Sequence, residues 1–387
     1  MDLYNPAISY DGVRRVAVGS VADIASVFSS GGDGGLNYSI CNTGHGFHTR
    51  SESVSGVIDL SRLRAVETIG DDLVRVEAGA RWSDVRAAIP RGRRVVSGSF
   101  PGVGVCGYLS GSGVGPDVRL MGPSALFLDS LEVVDRRGES IRCSRQENPD
   151  VFGEALLTKG TRYIISSATI RTIEDSLLRC VDVAMRDGEI GSRTIPDFIR
   201  EWMIVSDGFS CVGSSLQVMF IGGVPTVKLR AVARKDAEGE LRSFTEALGV
   251  SASIFDLWGS QLPALHAEPE KSPGSFMDGF GILSSASTGD RGRLVDELIG
   301  LGRGQNFFGV ELRHCSLHES LLDATLSSAL WRDVSFIVQH GSLAEDPVNA
   351  NEVAYGVLDG DDRRELPNFS RGLERSGAMD DLIRGLR

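Results

Sequence analysis

Three stretches concentrate the residues whose types and spacing could do chemistry: CNTGHG at 41–46, GSFPGVGVCGYLSGSGVGP at 98–116 and VFGEALLTKGTRYIISSATI at 151–170. The first sets His45 between two glycines just after the apolar run LNYSI (36–40). That is a strand entering a tight loop, from which successive backbone N–H groups can converge on an anion. The second packs seven glycines between Gly98 and Gly115, too many for a stable helix or an ordinary strand. Without Cβ atoms, such a chain can lie directly against a diphosphate. A histidine in this setting is either a reactive ring or one that only hydrogen-bonds nearby backbone.

A second constellation lies near the other end, on the predicted strand FFGVELRHC (307–315). Strand alternation puts Glu311 and Arg313 on one face and His314 on the other. The Glu311/Arg313 pair is either a substrate-orienting or acid/base pair, or a solvated ion pair on a sheet surface. His314 and His318, four apart with Cys315 between them, would be ligand-spaced on a helix. The segment reads as strand then loop and lacks an HExxH pattern, so no metal site is expected.

The elements that must position these residues fall into two textures. Up to about residue 175 they are short. Ser20 caps a helix over VADIASVF, GVIDLSRLRAV and LVRVEAG (73–79) read as strands, and WSDVRAAI (82–89) reads as a helix. A hairpin, SLEVVD-RRG-ESIRC (130–143), and the strand YIISSATI (163–170) close the region. Beyond it come longer alternating strands, LQVMFI (216–221), TVKLRAVAR (226–234), FFGVELRHC and VSFIVQH (334–340). Helices AEGELRSFTEAL (237–248) and RGRLVDELIGL (291–301) interleave with them. The expected organisation is a first domain over 1–175, a mostly antiparallel α+β domain over 176–355, and a tail of weak periodicity over 356–387.

Composition bounds the function classes. At 387 residues with 41% apolar content the chain is globular and too long for one core. A net charge of −12 without a dense Lys/Arg run argues against nucleic acid as a partner. MDLYNPAISYDG has neither a basic n-region nor an apolar h-region, and no membrane-length apolar run occurs, so a soluble, cytoplasmic protein is expected. Six cysteines without CxxC spacing are expected to be reduced thiols.

In order and spacing, the three opening stretches resemble the FAD-linked oxidases of the vanillyl-alcohol oxidase and berberine-bridge-enzyme type, in particular a bacterial subset with a TGHG loop. The resemblance runs over roughly residues 12–345 and includes PALHAEP (263–269) and VELRHCSL (310–317) in the second domain. It implies an α+β fold with a PCMH-type FAD-binding domain and a substrate domain whose antiparallel sheet is covered by helices. By the same resemblance Asn42, Thr43, Gly44, His45 and Gly46 wrap the FAD pyrophosphate. Pro101, Gly102, Val103, Gly104, Gly107, Tyr108, Gly111, Gly113 and Gly115 continue the cradle, and Gly160, Ile164 and Ile165 lie along the cofactor. His45 falls where relatives bond the flavin 8α-methyl group covalently.

The departures are equally specific. Phe100 precedes Pro101 where a second attachment cysteine would stand in a CPxxG context, so double attachment is not expected, and Cys106 reads as a buried thiol. The family's GGxGNFGVVT becomes LLTKGTRYIISS, with Thr161, Arg162 and Tyr163 in place of Asn, Phe and Gly. Tyr163 then blocks the flavin, stacks on it or acts on the substrate. Gly102 and Ser112 replace a Thr and a Gly. The C-terminal NYxRL…KxxYDPxNxF segment has no counterpart, with PNFSRGL (367–373) a poor substitute and Tyr355 the stand-in for its catalytic tyrosine. The resemblance implies an FAD-dependent oxidoreductase, in which Tyr163, Glu311, Arg313 and Tyr355 are the catalytic candidates and a small or natural-product-like molecule of secondary metabolism passes a hydride to flavin N5. The altered third segment and missing tail leave open a non-redox descendant, a cyclase or isomerase with FAD structural or lost, and a non-catalytic scaffold.

Overall fold

The computed structural model describes residues 3–4, 10–29, 38–46, 54, 56–157, 162–186, 188–266, 275–283, 288–324, 331, 334–343, 353, 356–358 and 363–364. The first region runs β1 (Arg14–Ala17), α1 (Val21–Ser29), β2 (Tyr38–Cys41), β3 (Gly56–Asp59), β4 (Val66–Ile69), β5 (Leu73–Glu77), α2 (Trp82–Ala88), β6 (Arg93–Arg94), α3 (Val105–Leu109), α4 (Val118–Met121), β7 (Leu128–Val134), β8 (Ser140–Ser144), α5 (Pro149–Leu157) and β9 (Ile164–Arg171). Two small sheets form from it. β1 and β2 flank β3 in a parallel three-stranded sheet, and β4-β5-β9-β7-β8 is antiparallel. A shared core that includes Ile24, Ile58, Val76, Trp82, Leu109, Val133 and Phe152 joins them.

The second region runs β10 (Ile173–Glu174), β11 (Leu177–Arg186), α6 (Ile195–Asp207), β12 (Val212–Ile221), β13 (Val224–Arg234), α7 (Glu238–Ala247), β14 (Phe255–Trp258), α8 (Leu262–His266), β15 (Ser275–Leu283), α9 (Thr288–Arg303), β16 (Phe307–His314), α10 (Glu319–Ala324), β17 (Val334–Leu343) and β18 (Arg363–Arg364). Here an antiparallel sheet of eight strands is ordered β14-β11-β13-β12-β16-β17-β15-β18. Alternation gives it two unlike faces. Val181, Leu229, Leu216, Val310, Leu312 and Val338 project to one side and bury against the apolar stripes of α6, α7 and α9, including Phe198, Trp202, Phe244 and Leu298. Thr194 caps α6 by accepting a hydrogen bond from the Asp197 N–H.

The architecture is the mixed α+β fold expected, with three differences in its elements. The glycine-rich stretch does hold a helix, α3, because Val105, Cys106 and Leu109 are buried together while its single glycine, Gly107, faces outward. The GVIDLSRLRAV run splits into β3 and β4 around a turn in which Leu63 N–H bonds Leu60 O. Arg363 and Arg364, from the stretch expected to be a tail, pair with Ile282 and Gly281 on β15. All six cysteines are free thiols, with only Cys211 exposed. Among the described residues no helix is long and apolar enough to cross a membrane.

Candidate functional site

The loop after β2 and the glycine-rich segment before α3 are hydrogen-bonded through the Thr43 side chain. Thr43 Oγ1 accepts a hydrogen bond from Gly104 N–H at 3.2 Å and shares another with His45 Nδ1 at 2.8 Å. Asn42 Nδ2 donates to Ala78 O at 3.0 Å, fixing the loop to the end of β5. The contact is too close for any side chain at 104, since a Cβ there would stand 2.6 Å from Asn42 Nδ2. Gly102 lies against the imidazole, its missing Cβ 3.6 Å from His45 Cε1. The segment is tied from behind by Val105 N–H to Ala80 O, Trp82 N–H to Val103 O and Ser83 N–H to Pro101 O.

His45 is enclosed on a second side. Tyr4 stacks on it with centroids 4.0 Å apart and planes 12° from parallel, and Tyr4 N–H bonds Thr43 O. Gly44, at φ +68°, makes the left-handed turn that this packing needs. Burial, reinforced by the nearby Arg81 charge, lowers the His45 pKa to about 4, so the ring is neutral at physiological pH.

Farther along, Tyr108 packs edge-on against Trp82 at 5.4 Å, and burial pushes its phenol pKa up. Gly113 and Gly115 allow close passage, against the Tyr108 ring and Ser97 O respectively. Ser112, where a glycine is the family's habit, holds φ +73° and is buried. A non-glycine residue costs about 1 kcal/mol or more in that region. Gly107 is exposed and a Cβ there would meet nothing within 4 Å, and Gly111 is buried.

The third stretch behaves differently. Gly160 and Thr161 lie outside the described residues, as does Tyr355. Ile164 and Ile165 are buried in the first-domain core and pair with Val134 and Val133 on β7. Tyr163 is half-buried against that same core. Burial raises its phenol pKa, with smaller effects from Glu154, Arg162 and Asp135. Those neighbours belong to α5, the β7–β8 turn and the residues just before β9, a different neighbourhood from that of Glu311 and Arg313.

Glu311 and Arg313 project from the sheet face opposite the helices, as alternation predicts. They form an ion pair at 2.7 Å, and Arg313 reaches Val114 O of the glycine-rich segment at 3.5 Å. Burial opposes the Glu311 carboxylate, but Arg313, with Arg230 behind it, outweighs burial and holds the pKa at about 2. The pair is enclosed between the eight-stranded sheet and the glycine-rich segment rather than solvated. His314 points the other way, 3.3 Å from Asp207 at the end of α6. No group of three or more potential metal ligands exists among the described residues.

Sequence reasoning missed the residues beside this pair. Lys228, Arg230, Gln217 and Ser215 share its face of the sheet, and His266 of α8 is buried near them. Alternation in TVKLRAVAR was the available signal for the first two.

Residues 14–144 match the family described as FAD binding domain. Over 155 residues the chain is 29% identical to an uncharacterized oxidoreductase in the fasciation locus of Rhodococcoides fascians, covering 39% of this chain and 35% of the relative. The chain thus aligns with about a third of the length of such curated relatives. Its fold is similar to a chitooligosaccharide oxidase structure over 99% of this chain and 91% of the other, with a TM-score of 0.79 and 14% identity. A glucooligosaccharide oxidase from Acremonium strictum, described with a 6-S-cysteinyl, 8α-N1-histidyl FAD, superposes over 99% of this chain and 88% of its own, with a TM-score of 0.75 and 15% identity. Residues 14–144 thus carry the FAD-binding domain, and the chain has the mixed α+β fold of the vanillyl-alcohol-oxidase-type flavoproteins.

Proposed function

We propose that the protein is an FAD-dependent oxidoreductase that oxidises a small or natural-product-like organic molecule. The observation that carries this reading is the Gly104 N–H···Thr43 Oγ1···His45 Nδ1 linkage, which closes two glycine-rich segments into one cradle. The residues present fit a dinucleotide. Gly102 and Gly107 leave backbone accessible, and Asn42 Oδ1 is buried with no hydrogen-bond partner among the described residues, an acceptor that a ligand donor would satisfy. The segments 42–46 and 101–115 would hold the FAD, and when bound its flavin supplies the hydride acceptor.

The chain's own residues do the rest. His45, kept neutral by burial, is the candidate attachment point, and its Nδ1 is engaged with Thr43. Cys106 is packed in the first-domain core, which supports at most single attachment. Glu311, ionised throughout the physiological range, locks Arg313 across the domain interface, so the pair acts as an orienting element rather than a proton donor.

The test is anaerobic mixing of the FAD-loaded protein with a panel of alcohols, amines and hydroxy acids. A substrate should bleach the flavin absorbance, and admitting air should restore it with dioxygen uptake. Product formation with the flavin oxidised throughout would replace this reading with a cyclase or isomerase.

A further inference from the structure

The sheet face that looks toward the first domain changes character along its strands. At one end it is apolar, where Leu178, Cys180, Val232 and Leu262 cluster and α4 packs on β12 at Gly213. Two strand positions farther on it becomes charged. Asp182, Arg230, Ser215 and Arg313 are cross-strand neighbours in one row, and Lys228, Gln217 and Glu311 form the next.

The charges in these rows do not balance. Lys228, Arg230 and Arg313 face two carboxylates, Asp182 and Glu311, and Glu311 is spent on Arg313 at 2.7 Å. Asp182 is left to serve both Lys228, at 3.1 Å, and Arg230, at 3.5 Å. The Arg230 side chain is only 5% exposed, and its Nε finds no hydrogen-bond partner among the described residues. His266, buried alongside, adds no charge, because burial and then Arg313 hold its pKa well below the usual histidine value. A buried cation without its own counter-ion is costly, and an arriving anion removes that cost. Toward Lys228, which is 31% exposed, and the exposed Ala184 the rows open to solvent, so a ligand has a way in.

We infer that the substrate carries a carboxylate, which docks on this face between Arg230 and Lys228. Arginine's planar fork suits two carboxylate oxygens, and a lysine at the entrance adds a mobile point charge. The inference deepens the oxidoreductase reading and rests on it.

Calorimetry and the visible flavin spectrum of the FAD-loaded protein, titrated with benzoate against benzamide and acetate against acetamide, test it. The carboxylates should bind about tenfold or more tightly than their amides. Lys228→Gln should weaken benzoate binding by about tenfold while leaving benzamide unchanged, and Arg230→Lys should retain more affinity than Arg230→Gln. Equal affinity for acid and amide, or a Lys228→Gln variant that binds benzoate as the parent does, overturns it. Protein that takes up no flavin yet prefers benzoate by calorimetry keeps the carboxylate site and discards the oxidoreductase reading instead.

Discussion

The cradle and the sheet face opposite it are built from different materials. Around His45 glycine backbone lies directly against side chains, Gly104 against Asn42, Gly102 against the imidazole and Gly44 against Leu3, while Thr43 Oγ1 hydrogen-bonds the two segments together. On the sheet face the strands run at ordinary spacing and everything distinctive is side chain: Glu311, Arg313, Arg230, Lys228 and His266. A backbone-built surface suits a phosphate, which any N–H can hold, and it tolerates little variation. A side-chain surface can change its ligand by changing a few residues without disturbing the fold. The difference separates the proposed cofactor site, which marks ancestry, from the proposed substrate site, which marks this chain.

If that contrast is right, the largest effect should come from the cradle. Gly104→Ala places a methyl 2.6 Å from Asn42 Nδ2. Relieving that overlap by about 1–3 kcal/mol of local repacking should lower FAD affinity by about tenfold or more. Fluorescence quenching of added FAD measures it, and unchanged affinity would mean that the two segments do not jointly hold the cofactor.

A smaller effect on FAD, with a larger one on stability, is expected from Arg313→Gln. It strands the enclosed Glu311 carboxylate at a cost of about 3 kcal/mol at neutral pH, read by denaturant unfolding. The sign with pH follows from Glu311. Its folded pKa of about 2 lies below its ordinary 4.5, so the parent's stabilisation is complete above pH 4.5 and is lost as pH falls toward 2. The gap between parent and variant should therefore narrow on acidification.

The same contrast explains what the sequence could show. Glycines betray a close-approach backbone, so the segments at 41–46 and 98–116 were legible, and so was the split of Glu311 and Arg313 from His314. Glycine count hid α3, whose buried Val105, Cys106 and Leu109 form one apolar side. The strand LQVMFI begins four residues earlier than its apolar run shows, at Val212, because Gly213, Ser214 and Ser215 are small or polar, and the packing of Arg119 and Leu120 over Gly213 accompanies their burial in the sheet. The KGTRY substitution left Tyr163 to block the flavin, stack on it or act on the substrate, and its ring packs on the core around β7 and β9 beside Glu154 and Arg162. A motif position locates the chain and not the direction of a new side chain. Lys228 and Arg230 alternate together within TVKLRAVAR, but which face lies beside Glu311 and Arg313 depends on the register of β12 with β13 and β16.

Titration of FAD into flavin-free protein, followed by visible absorbance, addresses the cradle most directly. Binding at one FAD per chain, with a shifted and structured flavin band, is the expected result. Added FAD that keeps the spectrum and fluorescence of the free cofactor at every ratio would contradict it.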